Sequence, residues 1–338
     1  PEADVLLIGS ISNYTVMMQY VTWGQMKSFL IALVVIALLM TLVFGSIKTG
    51  LIAMIPNISP ALAVGGIMGF AGIFSFGQVA FFVIGAYTSG ILSIEYQVPA
   101  VLAVLLAGVF TALMGIIVGL PCLKLAGPYI ALVTFGVHMA LQPTLRGEIG
   151  IALGSGGAVG LLTIPPINIF GYSFSSANMI PTFYLTLILS LTCALIILFV
   201  INSYWGVAFL ALKDSQDFAM SLGVSAFKYK LMVFGLTSFL TGIIGAYYGH
   251  FYGVLSYRML EMDLFSTLMV MLLVGGLGRF PGAILGAFLV VSGSELLAPL
   301  GAYRAVTMGA LVVVLVLALP NGVMGLWPKR KVAEVSPD

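Results

Sequence analysis

Charge is the scarcest feature of this chain. Of 338 residues only 7% are Asp, Glu, Lys or Arg, while 61% are hydrophobic; an ordinary soluble domain carries roughly a quarter charged residues. That balance excludes a water-soluble globular protein. It excludes disorder as well, which needs low hydrophobicity with high charge. Cysteine is nearly absent: Cys122 and Cys193 each lie in an apolar run, which rules out a disulfide framework or a metal-binding spacing and reads both as core residues. His138 and His250 are the two histidines; far apart and without acidic neighbours, each reads as a polar packing contact rather than a ligand. The 13 basic and 11 acidic residues leave a net charge of +2, giving no basis for nucleic-acid binding. There is no phosphate-binding Gly-x-x-x-x-Gly-Lys-Ser/Thr loop, since Lys27-Ser28 follows Met26 and Lys48-Thr49 follows Ile47. Any ATP-driven work therefore belongs to another subunit.

What is present is a succession of long uncharged runs. Residues 149–212, 125–145, 231–257, 264–278 and 305–328 carry no Asp, Glu, Lys or Arg, and between residues 28 and 94 the sole charge is Lys48. A charge at mid-bilayer costs about 2.5–3.5 kcal/mol on insertion scales, so these runs are where the chain crosses lipid. At roughly 20 residues per span, crossings fall at 28–44, 51–72, 78–94, 99–123, 128–145, 178–203, 231–254, 264–278, 280–298 and 305–326. The expected fold is an all-α integral membrane protein, a polytopic bundle of about eight to ten transmembrane helices, some short or broken. The run ending at Gly278 is short, so 278–282 reads as a re-entrant tip whose backbone is buried in protein. The chain starts Pro-Glu-Ala-Asp without an initiator methionine or a basic leader, and an upstream piece is expected.

Alternating these crossings from a cytoplasmic 204–230 segment puts Lys27, Lys124, Lys213, Lys228, Lys230, Arg279, Lys329, Arg330 and Lys331 inside. Lys48, Arg146, Arg258 and Arg304 fall outside. The inside bias is the one expected of membrane proteins, and it makes the C-terminus cytoplasmic. The spans hold almost no carboxylate, Glu295 being the exception near the end of its segment. That argues against an intramembrane proton relay. Gly65 with Gly69, and Gly282 with Gly286, are four apart and read as grooves for close helix packing.

The longest internal polar element is 212–230. Phe218, Leu222 and Val224 supply an apolar stripe on a short helix stopped at Gly223, with Lys213, Asp214 and Asp217 on its first turns and a basic exit at Lys228 and Lys230. Such a surface helix suits docking on a cytoplasmic partner.

This segment resembles the coupling motif of ABC importer permeases, in the form used by branched-chain amino acid permeases of the LivM type. Lys213, Asp214, Ala219, Gly223, Val224 and Lys230 match the pattern, while Gln216 stands where the family usually has glutamate and Phe218 where it has alanine. The resemblance extends to Gly72-Ile73-Phe74-Ser75-Phe76-Gly77-Gln78 with Gly85-Ala86-Tyr87, to Gly127-Pro128-Tyr129-Ile130-Ala131 ending at Thr134, to the glycine-rich external loop 154–161 with Ile164-Pro165, to Gly275-Gly276-Leu277-Gly278 with Pro281-Gly282, and to Leu319-Pro320-Asn321-Gly322. It covers about residues 71–328 and implies a permease domain there, followed by a cytoplasmic tail at 329–338.

Residues 1–70 differ. Their two hydrophobic helices resemble a helix pair of an RND-superfamily exporter, which places a fusion or chimeric join near Phe70 to Gly72. The resemblance to these permeases implies import of leucine, isoleucine or valine across a bacterial inner membrane, with no catalytic residue, metal or cofactor held by this chain. It further implies two ATPase subunits binding ATP-Mg, a second permease subunit of the LivH type and a periplasmic amino-acid-binding protein. Gly223 and its neighbours, Gln216 included, would carry the ATPase contact. Gly77, Tyr87, Tyr129, Thr134, Gly275 and Gly278 are the candidate path residues, and broken-helix termini near Pro128 or Gly278 would meet the zwitterionic ends of the substrate. A proton-driven exporter fragment and a non-transporting scaffold are the competing readings.

Overall fold

In the computed structural model the described residues are 72, 73, 75–123, 125, 128–169, 171–176, 178–276, 282–318 and 322–326. The exporter-like segment, the Gly65/Gly69 pair, the 278–282 tip up to residue 281 and the tail from residue 327 lie outside them. The helices are α1 (Gln78–Ile94), α2 (Ala100–Cys122), α3 (Pro128–Arg146), α4 (Glu148–Ala152), α5 (Met179–Ile201), α6 (Tyr204–Asp214), α7 (Gln216–Ser221), α8 (Ala226–Tyr252), α9 (Met262–Gly275), α10 (Gly282–Leu296) and α11 (Arg304–Ala318). One hairpin, β1 (Ile167–Ile169) antiparallel to β2 (Tyr172–Phe174), pairs Ile167 with Phe174 and Ile169 with Tyr172. Among the described residues three helices are long and apolar enough to cross a membrane: α2, α8 and residues 180–201 of α5. The α9 helix has 14 residues, about 21 Å at 1.5 Å per residue, well short of a bilayer core.

Where lipid is as apolar as leucine, hydrophobicity cannot choose the inward face of a helix; small side chains and hydrogen bonds do. In α2 the buried residues are Ala103, Ala107, Gly108, Thr111, Gly115, Gly119 and Cys122, which share one face of the helix. The large residues Leu105, Val109, Leu113 and Ile117 point outward and are exposed. The most enclosed span is α8: 67% of its apolar window is buried, against 28% for α2 and 33% for α5. It lies between α1 and α2, the tightest packing in the fold. A Cβ on Gly85 of α1 would come within 2.3 Å of the Gly242 carbonyl oxygen, and one on Gly242 would meet Thr111 at 2.6 Å. The backbones themselves are therefore in contact, as Gly-mediated pairs allow. Two buried threonines spend their hydroxyls on their own helix: Thr111 donates to Ala107 O at 2.6 Å and Thr237 to Val233 O at 2.7 Å.

A second packing unit joins α9 to α10. A Cβ on Gly286 would lie 1.8 Å from Met271 O, and one on Gly282 2.7 Å from Gly275 O, so the Gly282/Gly286 pair forms the close-packing groove expected from its spacing. Gly275 belongs to this contact.

The glycine-rich 154–161 stretch folds over one end of the bundle. Leu161 and Leu255 exchange both backbone hydrogen bonds at 2.9 Å, and Ile164 N donates to Gly253 O at 2.9 Å. His250 fastens this cap: Nδ1 bonds Pro165 O and Nε2 bonds Ser89 Oγ, both at 2.7 Å. Because a carbonyl only accepts, Nδ1 carries the proton of the neutral ring and Nε2 accepts from Ser89. Arg146 stands 5.5 Å over the Tyr257 ring at this end. Gly72 packs on Lys213 at the other. Arg146 and Lys213, read as belonging to opposite sides of the membrane, thus stand at opposite ends of the bundle.

Candidate functional site

At the Lys213 end, the polar segment forms an elbow rather than one short helix. Lys213 and Asp214 close α6; Ser215, with φ −155° and ψ 105°, breaks the chain, and its hydroxyl caps α7 by accepting from Phe218 N at 3.4 Å. A residue with that backbone conformation cannot continue a helix. Of the three charges expected on the first turns of the docking helix, only Asp217 is there. The stripe divides as well. Val224 packs inward with Ala211 and Tyr229 on the small core of Leu212, Ala219 and Ala226, while Phe218 and Leu222 are 65% and 68% exposed. Gly223 adopts φ +86°, and the turn is closed by Gly223 N to Met220 O at 3.0 Å and Val224 N to Ala219 O at 3.1 Å.

Lys230, on the second turn of α8, donates to Gln216 Oε1 at 2.6 Å. The elbow is thereby tied to the base of the most enclosed helix. Placing glutamate at 216 turns this into an ion pair, worth about 0.2–1 kcal/mol in a partly exposed setting. The Gln216→Glu variant is expected to slow hydrogen exchange of the α7 amides, and Lys230→Met to accelerate it, each read by mass spectrometry of the solubilised protein.

The candidate path residues separate into different surroundings. Gly77 and Thr134 come together: a Cβ on Gly77 would lie 3.3 Å from Thr134 Cβ, and Thr134 Oγ1 accepts from Phe76 N at 3.0 Å. Tyr87 is buried in the main core with its hydroxyl unpartnered, Tyr129 is 63% exposed, Gly275 packs on α10, and Gly278 lies outside the described residues. Next to Gly77, Gln78 is fully buried; its Oε1 accepts from Thr241 at 2.9 Å and its Nε2 reaches Thr237 at 3.5 Å. Removing that donor in Thr241→Val is expected to cost about 1–2 kcal/mol, seen as a lower melting temperature in detergent.

Sequence reasoning did not single out the ring cluster above Gly77. Phe76 meets Phe265 at 5.5 Å and Phe135 at 6.3 Å. His138 packs against both Phe135 at 6.2 Å and Phe265 at 5.4 Å, and those two rings are themselves 5.5 Å apart. It is fully buried, and neither ring nitrogen has a hydrogen bond of good geometry; the Leu260 carbonyl acts on the ring electrostatically without reaching that geometry. His138 therefore differs from His250, which spends both nitrogens. Leaving a buried polar group unpaired costs about 1–3 kcal/mol, and polar side chains kept inside membrane bundles mark functional positions. Among the described residues no three His, Cys, Asp or Glu gather as metal ligands.

Apolar spans with small inward faces, a tight three-helix centre and one polar elbow define a polytopic membrane protein built around a helical bundle. The chain belongs to the family of permease components of branched-chain amino acid transport systems, whose profile matches residues 49–319. It is similar to the high-affinity branched-chain amino acid transport system permease protein LivM of Salmonella typhimurium strain LT2, with 28% identity over 323 residues covering 89% of this chain and 75% of the relative. The protein of the same name from Escherichia coli K12 is 27% identical over the same length and coverage. No solved structure matches the chain. The family match begins at residue 49, inside the segment that resembles an exporter helix pair.

Proposed function

We propose that this chain is the translocating subunit of an ATP-driven importer of leucine, isoleucine and valine in a bacterial inner membrane. The observation that supports this best is the elbow: a Ser-capped, Gly-stopped α7 with an exposed apolar face, tied through Gln216 and Lys230 to α8, the helix around which the bundle packs. A partner pressing on α7 acts directly on that helix. Two ATPase subunits binding ATP-Mg occupy the elbow side, which is cytoplasmic together with the 329–338 tail. A periplasmic binding protein delivers substrate at the 147–177 cap, and a second permease subunit completes the path. ATP binding then shifts the population between inward-open and outward-open states through its differential affinity for them.

Vesicles carrying the chain with its partner subunits are expected to take up leucine when ATP is supplied and to keep doing so with a protonophore. Uptake abolished by the protonophore and indifferent to ATP depletion would instead support the exporter reading.

A further inference from the structure

The ring cluster lies at the seam between the two packing units. Phe76 precedes α1, Phe135 and His138 belong to α3, and Phe265 belongs to α9. The α1–α8 and α9–α10 contacts bring backbones together at glycines; α9 instead reaches α3 and the residue Phe76 ahead of α1 through large rings. Rings can rotate away where backbones in contact cannot, so this is the place where the bundle can part without breaking its glycine packing. Position agrees: His138 is ten residues into α3, about 15 Å from its start, in the middle of the helix.

The chemistry at the seam is unspent. A neutral imidazole has one donor and one acceptor, and neither makes a hydrogen bond of good geometry where the ring packs on Phe135 and Phe265. A ligand that satisfies it carries acceptor and donor on one small head and an apolar body. An α-amino acid with an aliphatic side chain has that form: carboxylate and ammonium for His138, hydrocarbon for the faces of Phe76, Phe135 and Phe265.

Building on the permease reading, we infer that His138 is a substrate-contacting residue, and that Phe76, Phe135 and Phe265 close over the path at that point and take the side chain of the passing amino acid. Thr134, one turn from His138 and bonded to Phe76 N, is a positioning residue that fixes where the Phe76 ring stands.

The test uses the assembled transporter in proteoliposomes with leucine-loaded binding protein. His138→Phe keeps a flat ring in the stack and removes both nitrogens; His138→Gln keeps a donor and an acceptor. The Phe variant is expected to lose leucine uptake by about ten-fold or more, the loss expected from one missing contact to a charged group, with ATPase assembly unchanged and a melting temperature equal to wild type or higher, because the unpaired buried nitrogens are gone. The Gln variant recovers most of that loss. Uptake by His138→Phe equal to wild type, or equal failure of both variants in folded complexes, overturns the assignment. Phe265→Leu gives a second readout should the Phe variant not accumulate. Its leucine-to-valine uptake ratio is expected to move by about three-fold or more, as for a trimmed apolar wall, and an unchanged ratio overturns the assignment independently. A wild-type complex that takes up no leucine with ATP overturns the permease reading, whereas a transporting wild type with indifferent variants overturns this inference alone.

Discussion

Replacing Gly245 with valine is expected to abolish the folded bundle. A Cβ at this position would sit 1.9 Å from the carbonyl oxygen of Phe82, roughly half of an ordinary van der Waals separation. The obstacle is backbone inside α1, so no rotamer change relieves it, and the only response is to push α1 and α8 apart. That response breaks more than one contact. Gly85 against Gly242, Gln78 with Thr237 and Thr241, and His250 with Ser89 all bridge the same two helices. Overpacking against mobile side chains costs about 1–3 kcal/mol; against fixed backbone, with three further bridges lost, the cost approaches the roughly 5–15 kcal/mol by which a whole domain is stable. The expected outcome is a fall of about ten-fold or more in monodisperse protein recovered from detergent, since each 1.4 kcal/mol is a factor of ten. Gly136→Ala is the matching control. Nothing lies within 4 Å of its Cβ and the site is in α3, so alanine is expected to raise stability by about 0.5–1 kcal/mol through helix propensity. Equal recovery of Gly245→Val and wild type would mean that α1 and α8 do not pack as described.

Much of this fold was legible because charge marks the limits of the lipid. The expected crossing at 78–94 coincides with α1, and those at 99–123, 128–145 and 178–203 differ from α2, α3 and α5 by one or two residues. The disagreements have a common cause: charge ends a membrane span, but it does not end a helix. Lys228 and Lys230 placed the start of the next span at residue 231, yet α8 begins at Ala226 and carries both lysines on its first turns. The last span was read through residue 326; α11 is described over Arg304–Ala318, and Val323–Leu326 form a 3-10 turn.

The elbow was legible as a location and less so as a shape. Its residues were named from composition and resemblance, but nothing in Lys213-Asp214-Ser215-Gln216 announced that Ser215 would turn extended and cap a new helix instead of continuing the old one. The substitution of glutamine at 216 gained a meaning that the sequence alone did not supply, because its partner Lys230 is fourteen positions away. The seam was not legible at all. Phe76, Phe135, His138 and Phe265 come from three separate segments of the chain, and an isolated Phe or His in an apolar stretch has no periodicity that tells lipid-facing from core-facing. Only the packing shows that these rings meet and that His138 has no hydrogen bond of good geometry there.

Replacing Gly223 with valine is expected to leave the bundle intact and disconnect it from its energy source. Gly223 holds φ +86°, and no atom lies within 4 Å of the position a Cβ would take, so the cost is conformational and not steric crowding by neighbours. The left-handed region costs an L-residue roughly 1–2 kcal/mol, and a β-branched one sits there as an outlier. The variant escapes this strain by leaving the conformation. That movement releases the bonds from Gly223 N to Met220 O and from Val224 N to Ala219 O, and withdraws Val224 from Leu212 and Ala219. The α7 helix then swings on Ser215 and no longer presents Phe218 and Leu222 at a fixed angle to α8. Because the elbow has few contacts with the glycine-packed centre, the melting temperature of the solubilised chain is expected to stay close to wild type. In proteoliposomes with the partner subunits, ATP-dependent leucine uptake is expected to fall by about ten-fold or more, and loaded binding protein should no longer stimulate ATP hydrolysis; the ten-fold figure corresponds to about 1.4 kcal/mol of lost coupling. Gly223→Ala, with a smaller left-handed penalty and the same open surroundings, should fall between the two. Undiminished uptake by Gly223→Val would show that force reaches α8 by a route other than α7.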